Sequence, residues 1–321
     1  MKTRNLIGLS LLAMTFLCSA AVQEESASTS SRISMPQAMV LGAVEGLTEY
    51  LPVSSTGHLI LAVDALQLGG FAHDENSSPV TGPLGPIMEP NPAVNAFNIV
   101  IQLGAILAVF SIYLQRIREM LSGLIGRHEQ GRKLFINLIV AFCPAAIVGF
   151  FLDRPIEAYL FSPLTVALAL AIGGVVMVFE KKIFRRDRSP LNDLSNLTIR
   201  SALVIGVVQC LAMWPGTSRS MVTILAGLGV GLSMSAAAEF SFLLALPTLT
   251  AATLYKTVTQ WDALTEFVGI DALIAGIVIS AIVAGFSVKF LVQYLTKKGL
   301  FAFGLYRIGL AIGVFYYFTK G

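Results

Sequence analysis

Six apolar runs, each long enough to cross a bilayer, constrain this chain more than any other feature. They lie at roughly 94–114, 134–152, 162–180, 237–256, 268–288 and 299–318. About 20 apolar residues span the hydrocarbon core as a helix, and inside it each backbone N–H and C=O must be satisfied within the protein. Composition agrees, because only 13% of the 321 residues are charged, against about 25% in an ordinary globular domain. Most soluble classes are thereby excluded. The chain reads as an all-α polytopic membrane protein, with membrane lipids around it and no nucleic acid among its expected partners. Cys18, Cys143 and Cys210 all sit in apolar runs without metal-type spacing, so neither a disulfide framework nor a zinc site is indicated.

Charge distribution sets the orientation. The stretch 115–133 carries Arg116, Arg118, Arg127, Arg132 and Lys133, 181–200 carries Lys181, Lys182, Arg185, Arg186, Arg188 and Arg200, and 287–298 carries Lys289, Lys297 and Lys298. By the positive-inside rule these three stretches are cytoplasmic. By contrast 52–93 and 257–267 hold no Lys or Arg and 153–161 holds only Arg154, so these face outward. The six spans alternate without contradiction. At the N-terminus, Lys2 and Arg4 precede the apolar stretch Leu6 to Leu17, small residues Cys18 to Ala21, and a Glu- and Ser-rich tract. Residues 1–21 thus read as a secretory signal peptide, or as a retained apolar segment, and 22–35 as a polar extension outside the cytoplasm.

Two further apolar stretches are too short to span. The fifteen residues Gln37 to Leu51 lie between Pro36 and Pro52 and reach about 22 Å at about 1.5 Å per residue, against a core of about 30 Å. They continue through Val53-Ser54-Ser55-Thr56-Gly57-His58 into Leu59 to Leu66. Since both flanks lie outside, residues 37–66 are expected to form a re-entrant hairpin. Residues 201–231, interrupted at Pro215, have the same form with both flanks inside. Aligned with one residue skipped, Gly42 to Ser55 and Gly206 to Ser218 correspond at an offset of about 163. An internal duplication follows, with repeats at 36–188 and 189–321, each a re-entrant hairpin plus three spans. Three is odd, so the second repeat is inverted. Broken helices in inverted repeats meet near the midplane and line the working site.

The costly residues sit at these breaks. Glu45 and Glu49 are four apart and share one helix face. Two such carboxylates repel unless a cation or proton lies between them, and hard cations such as Mg²⁺ or Ca²⁺ prefer oxygen ligands. Ser54, Ser55, Thr56 and His58 follow the first break. A hydroxyl beside a carboxylate and an imidazole is an activated nucleophile, and the imidazole can also donate a proton to a leaving oxygen. The second break reads Pro215-Gly216-Thr217-Ser218-Arg219-Ser220, with Thr223 beyond. A small-residue loop entering a helix N-terminus offers free N–H groups, and a guanidinium suits phosphate. Gly216, Ser218, Arg219, Ser220 and Thr223 are thus expected to bind phosphate. Together the halves suit a phosphate ester or diphosphate on a lipid.

At these residues the sequence resembles the undecaprenyl-diphosphatase family, also called bacitracin-resistance proteins. That family's Glu-x-x-x-Glu segment with its following Pro-Val-Ser-Ser-Thr-Gly-His appears as Glu45 to His58, and its Pro-Gly-x-Ser-Arg-Ser-x-x-Thr segment as Pro215 to Thr223. Further similarity covers Phe97 to Val109 and Glu239 to Pro247. The resemblance implies functional positions at Glu45, Glu49, Ser55, His58, Ser218, Arg219 and Thr223. It also implies removal of the terminal phosphate of an isoprenyl diphosphate lipid, aided by a divalent cation, in a homodimer of the bacterial inner membrane. The charge rule places the site's opening outward. Glu45 and Glu49 are the expected metal ligands, and Glu49, Ser55, His58 and Arg219 the expected catalytic groups, with Ser55 or His58 attacking. Residues 1–35 and the length of the loop 67–93 depart from the family pattern. A transporter or flippase of a phosphorylated isoprenoid lipid is the rival reading. A PAP2-type acid phosphatase is disfavoured because only His58, His73 and His128 are present and none of them pair.

Overall fold

A computed structural model describes residues 32–68, 81–82, 85–86, 92–160, 162–184 and 190–320. The signal-like segment 1–21, most of the polar extension and most of the loop 67–93 lie outside the described residues. Helix α1 (Met35–Thr48) begins behind Ser34, whose N–H and hydroxyl both donate to Gln37 Oε1, at 2.8 and 2.9 Å, with Pro36 in the first turn. It stops just before Pro52, which has no N–H to continue the ladder. Helix α2 (Ser55–Ala65) returns. A two-residue antiparallel pair, β1 (Thr81–Gly82) and β2 (Gly85–Pro86), lies in the following loop. Helices α3 (Pro92–Val100) and α4 (Gln102–Ile112) form one rod with a turn at Ile101. The first half continues through α5 (Leu114–Leu124), α6 (Glu129–Leu160), α7 (Pro163–Val178) and α8 (Glu180–Ile183).

In the second half α9 (Ile199–Gln209) tightens into a 3₁₀ turn at Cys210–Met213 and breaks before α10 (Arg219–Gly229). Then come α11 (Met234–Thr259), α12 (Trp261–Phe267), α13 (Ile270–Lys298) and α14 (Phe301–Lys320). Among the described residues, five segments are long and apolar enough to cross a membrane: Ala93–Ile112, Glu129–Leu152, Met234–Thr259, Ile270–Lys298 and Phe301–Phe318. The sixth expected span, 162–180, differs. It is the 16-residue α7, which a turn at Phe179 separates from α8.

Packing brings the short helices into the middle of the bundle. Helix α1 lies along α13, α9 along α6, α10 along α11 and α7 along α14. Two glycines allow close approaches of the short helices: a Cβ at Gly42 would overlap the Gly276 carbonyl, and one at Gly206 the Ala141 carbonyl. Small residues at such crossings are the usual means by which membrane helices pack, since lipid offers no hydrophobic drive between them. The outer surface is apolar, with Phe150, Phe286 and Ile270 each more than 70% exposed. The interior holds Glu45, Glu49, His58 and Arg307. An apolar exterior around a polar centre is stable only in lipid.

Candidate active site

Both helix breaks end in the same unusual turn. Ser54, the residue before α2, has φ 72° and ψ 106°, and Ser218, the residue before α10, has φ 74° and ψ 112°. Each hydroxyl accepts a hydrogen bond from the backbone N–H three residues on, Gly57 for Ser54 and Met221 for Ser218. A serine at positive φ costs on the order of 1–3 kcal/mol and persists only where its surroundings enforce it. Ser55 and Arg219 therefore occupy the same place, the first residue of a short helix just after a strained cap.

They meet at Glu49. The Ser55 hydroxyl donates to Glu49 Oε2 at 2.8 Å, and Arg219 Nη2 donates to Glu49 Oε1 at 2.9 Å. The Glu49 and Arg219 side chains are only 7% and 9% exposed. Arg219 Nη1 donates to the Ser241 carbonyl at 3.0 Å, its guanidinium lies 5.6 Å from the Tyr50 ring centre, and the Tyr50 hydroxyl is anchored on the Ala105 carbonyl. Its Nε is buried and has no partner among the described residues, so one donor of the cation remains unused. Glu45 is fully buried, and neither of its oxygens has a partner among the described residues.

The hydroxyls expected to bind phosphate are engaged within the protein. Ser220 donates across the break to the Leu51 carbonyl at 3.1 Å and shares a hydrogen bond with Ser218. Thr223 donates to the Arg219 carbonyl at 2.8 Å and pairs with the Ser241 hydroxyl at 2.6 Å. Gly216 has φ 90°, and its carbonyl accepts from Arg307. In this geometry these residues hold the two breaks together and place Arg219. Beside Ser55 opens a cleft of about 200 Å³, walled by Thr56, Leu59, Ile60 and Val63 on α2 and by Val94, Asn95, Asn98, Ile99 and Gln102 on the α3–α4 rod. Hydroxyls at Ser55 and Thr56 and a wall of Leu59, Ile60 and Val63, facing a mixed wall with the amides Asn95, Asn98 and Gln102, suit a polar head joined to a hydrocarbon chain.

Two neighbouring residues of α14 complete the site, and a reading by apolar spans passes over both. Arg307 is fully buried, and its guanidinium donates to the carbonyls of Pro52 at 3.3 Å and Gly216 at 2.9 Å, one from each break, and to Ala169 and Leu170 on α7. Tyr306 places its hydroxyl 2.6 Å from His58 Nε2. The one sequence signal was an arginine in the middle of an apolar span, where a charge is costly enough to mark a function.

Residues 38–313 match the family described as bacitracin resistance protein BacA. The chain belongs to this family. Among its relatives, the undecaprenyl-diphosphatase of Clostridium tetani is 40% identical over 273 residues, covering 85% of this chain and 92% of that protein. The undecaprenyl-diphosphatase of Sorangium cellulosum is 42% identical over 275 residues, covering 85% of this chain and 83% of that one. The stretch matched to the BacA family contains both breaks, the Ser55–Glu49–Arg219 chain, and Tyr306 and Arg307.

Proposed function

We propose that this BacA-family chain is an integral membrane phosphatase that hydrolyses undecaprenyl diphosphate to undecaprenyl phosphate and inorganic phosphate. In doing so it recycles the lipid carrier of cell-wall synthesis and confers resistance to bacitracin. The relatives' activity supports the substrate. The observation that carries the chemistry is the hydrogen-bonded chain from Ser55 through Glu49 to Arg219, which joins the two breaks. Ser55 Oγ passes its proton to Glu49 Oε2 and attacks the terminal phosphorus. The bond from that phosphorus to the bridging oxygen breaks, and its electron pair leaves with undecaprenyl phosphate. Water then attacks the phosphorus of the phosphoserine, the P–Oγ bond breaks, the proton held on Glu49 returns to Ser55 Oγ, and phosphate leaves with the hydrogens of the water. Ser55 is favoured over His58 as the attacking group because both His58 nitrogens are already hydrogen-bonded. Arg219 neutralises the phosphate oxygens, with its unused Nε available to them.

A divalent cation, Mg²⁺ or Ca²⁺, would be held first by Glu45, whose two buried carboxylate oxygens lack partners among the described residues, with Glu49 one turn away, its oxygens engaged by Ser55 and Arg219. No group of three or more His, Cys, Asp or Glu residues suited to a metal occurs among the described residues. Such an ion would take its remaining ligands from water and substrate phosphate, as Mg²⁺ sites commonly do. When bound, it would offset the diphosphate charge.

The inverted repeat is supported by the matched turns at Ser54 and Ser218 and by the close approaches at Gly42 and Gly206. Both pairs stand 164 apart, so the repeats align without a skipped residue and Ser55 corresponds to Arg219. The site opens outward by the distribution of Lys and Arg, and the protein works as a homodimer in the inner membrane. The test is phosphate release from undecaprenyl diphosphate by the purified protein in detergent, with and without a chelator. Release that stops on chelation, and falls about 10²–10³-fold in Arg219→Ala, is expected. Movement of the lipid across sealed vesicles without any release in detergent would instead assign a transporter.

A further inference from the structure

His58 lies in the first turn of α2 and is 4% exposed. Its Nδ1 is 2.7 Å from the Ser54 carbonyl oxygen, which can only accept, so Nδ1 carries a hydrogen. Its Nε2 is 2.6 Å from the Tyr306 hydroxyl, and the two ring planes are within 6° of parallel. A continuous path therefore runs from the Tyr306 hydroxyl through the imidazole to the carbonyl of Ser54. Ser54 is the strained cap at φ 72° that immediately precedes Ser55. The chain neighbour of Tyr306, Arg307, grips the carbonyls of Pro52 and Gly216. Helix α14 thus reaches the first break twice, once at Pro52 and once through His58.

We infer that Tyr306 is a positioning residue of the site: acting through His58, it braces the Ser54 turn that sets the Ser55 hydroxyl against Glu49. The Tyr306 hydroxyl donates to Nε2 and holds the imidazole in the Nδ1–H tautomer. Nδ1–H in turn fixes the Ser54 carbonyl, and with it the direction in which Ser55 leaves the break. The inference rests on the reading of Ser55 and Glu49 as the reacting pair.

Tyr306→Phe keeps the ring and removes the hydroxyl. In detergent-purified protein that still elutes as a folded species, kcat for phosphate release is expected to fall about 10- to 100-fold with KM unchanged, the pattern of a lost orienting contact. In a His58→Gln background the same substitution should cause little further loss, because its effect passes through the imidazole. Only three histidines occur in the chain, so ¹⁵N-histidine NMR of the wild type can read the tautomer directly, with Nδ1 protonated and Nε2 bare expected. A His58 ring protonated on Nε2 alone overturns the inference even if no variant folds. Normal kcat in Tyr306→Phe alongside a crippled His58→Gln overturns it and leaves the phosphatase reading intact. Normal kcat in Ser55→Ala removes the reading beneath it.

Discussion

Glu49 is the residue on which the site converges, because each of its oxygens receives a hydrogen bond from a different break. Glu49→Gln preserves size and most of the hydrogen-bonding shape but removes the proton acceptor. The expected outcome is a folded protein whose rate of phosphate release is lower by about 10²–10⁴-fold, checked by the release assay and by elution in detergent. Glu45 behaves differently, since its oxygens are buried and free of partners among the described residues. Glu45→Gln is expected to raise the Mg²⁺ concentration for half-maximal activity by about tenfold or more, measured by titrating metal into chelated enzyme. An unchanged midpoint would contradict Glu45 as a cation ligand. At this scale the sequence marks residues that the structure places around the two breaks, and says less about what each of them touches. Glu45, Glu49, Ser55 and Arg219 stand out because charge and hydroxyls are rare at membrane depth. Ser220 and Thr223 look equally available, yet their hydroxyls bind Leu51, Arg219 and Ser241, and a motif does not show which carbonyl lies opposite.

Helix interruptions are legible because proline and small residues stop apolar runs, so the breaks at Pro52 and Pro215 can be anticipated. The positive φ of Ser54 and Ser218 cannot, since nothing in a serine announces that conformation. Arg307 on α14 holds a carbonyl from each break, Pro52 and Gly216, and two from α7. Arg307→Leu should therefore do more damage than a lost surface charge. It leaves four buried carbonyls without that donor, each costing on the order of 1–3 kcal/mol if nothing replaces it. A large fall in the detergent melting temperature together with lost activity is expected. Arg307→Lys should recover only part of either, because an ammonium cannot span the same fork of acceptors. A melting temperature equal to wild type in Arg307→Leu would show that the breaks are held by other contacts. Helix α7 marks another limit of reading by hydropathy: the apolar run 162–180 continues through Phe179, but the helix turns there.

For the whole molecule, the proposed arrangement is two inverted halves whose interruptions face each other, a reading that rests on the uneven distribution of Lys and Arg and on the matched turns at Ser54 and Ser218. With its native cysteines replaced, Ser77→Cys in the outer loop should react with a membrane-impermeant maleimide in intact cells. Ser122→Cys in α5, within the basic stretch 115–133, should react only after permeabilisation, and the reverse pattern would invert the topology. The contacts that join the halves, Arg219 to Glu49, Ser220 to Leu51 and Arg307 to both breaks, are long-range and so invisible to local periodicity. The most direct measurement is a double-mutant cycle on phosphate release across the pair that joins them, using Glu49→Gln and Arg219→Lys. Each single variant is expected to lose about 10²–10³-fold in kcat/KM, and the double variant to lose little beyond the worse single one, because the two act as a unit. Losses that multiply, as they do for independent sites, would contradict a single site shared by the two breaks.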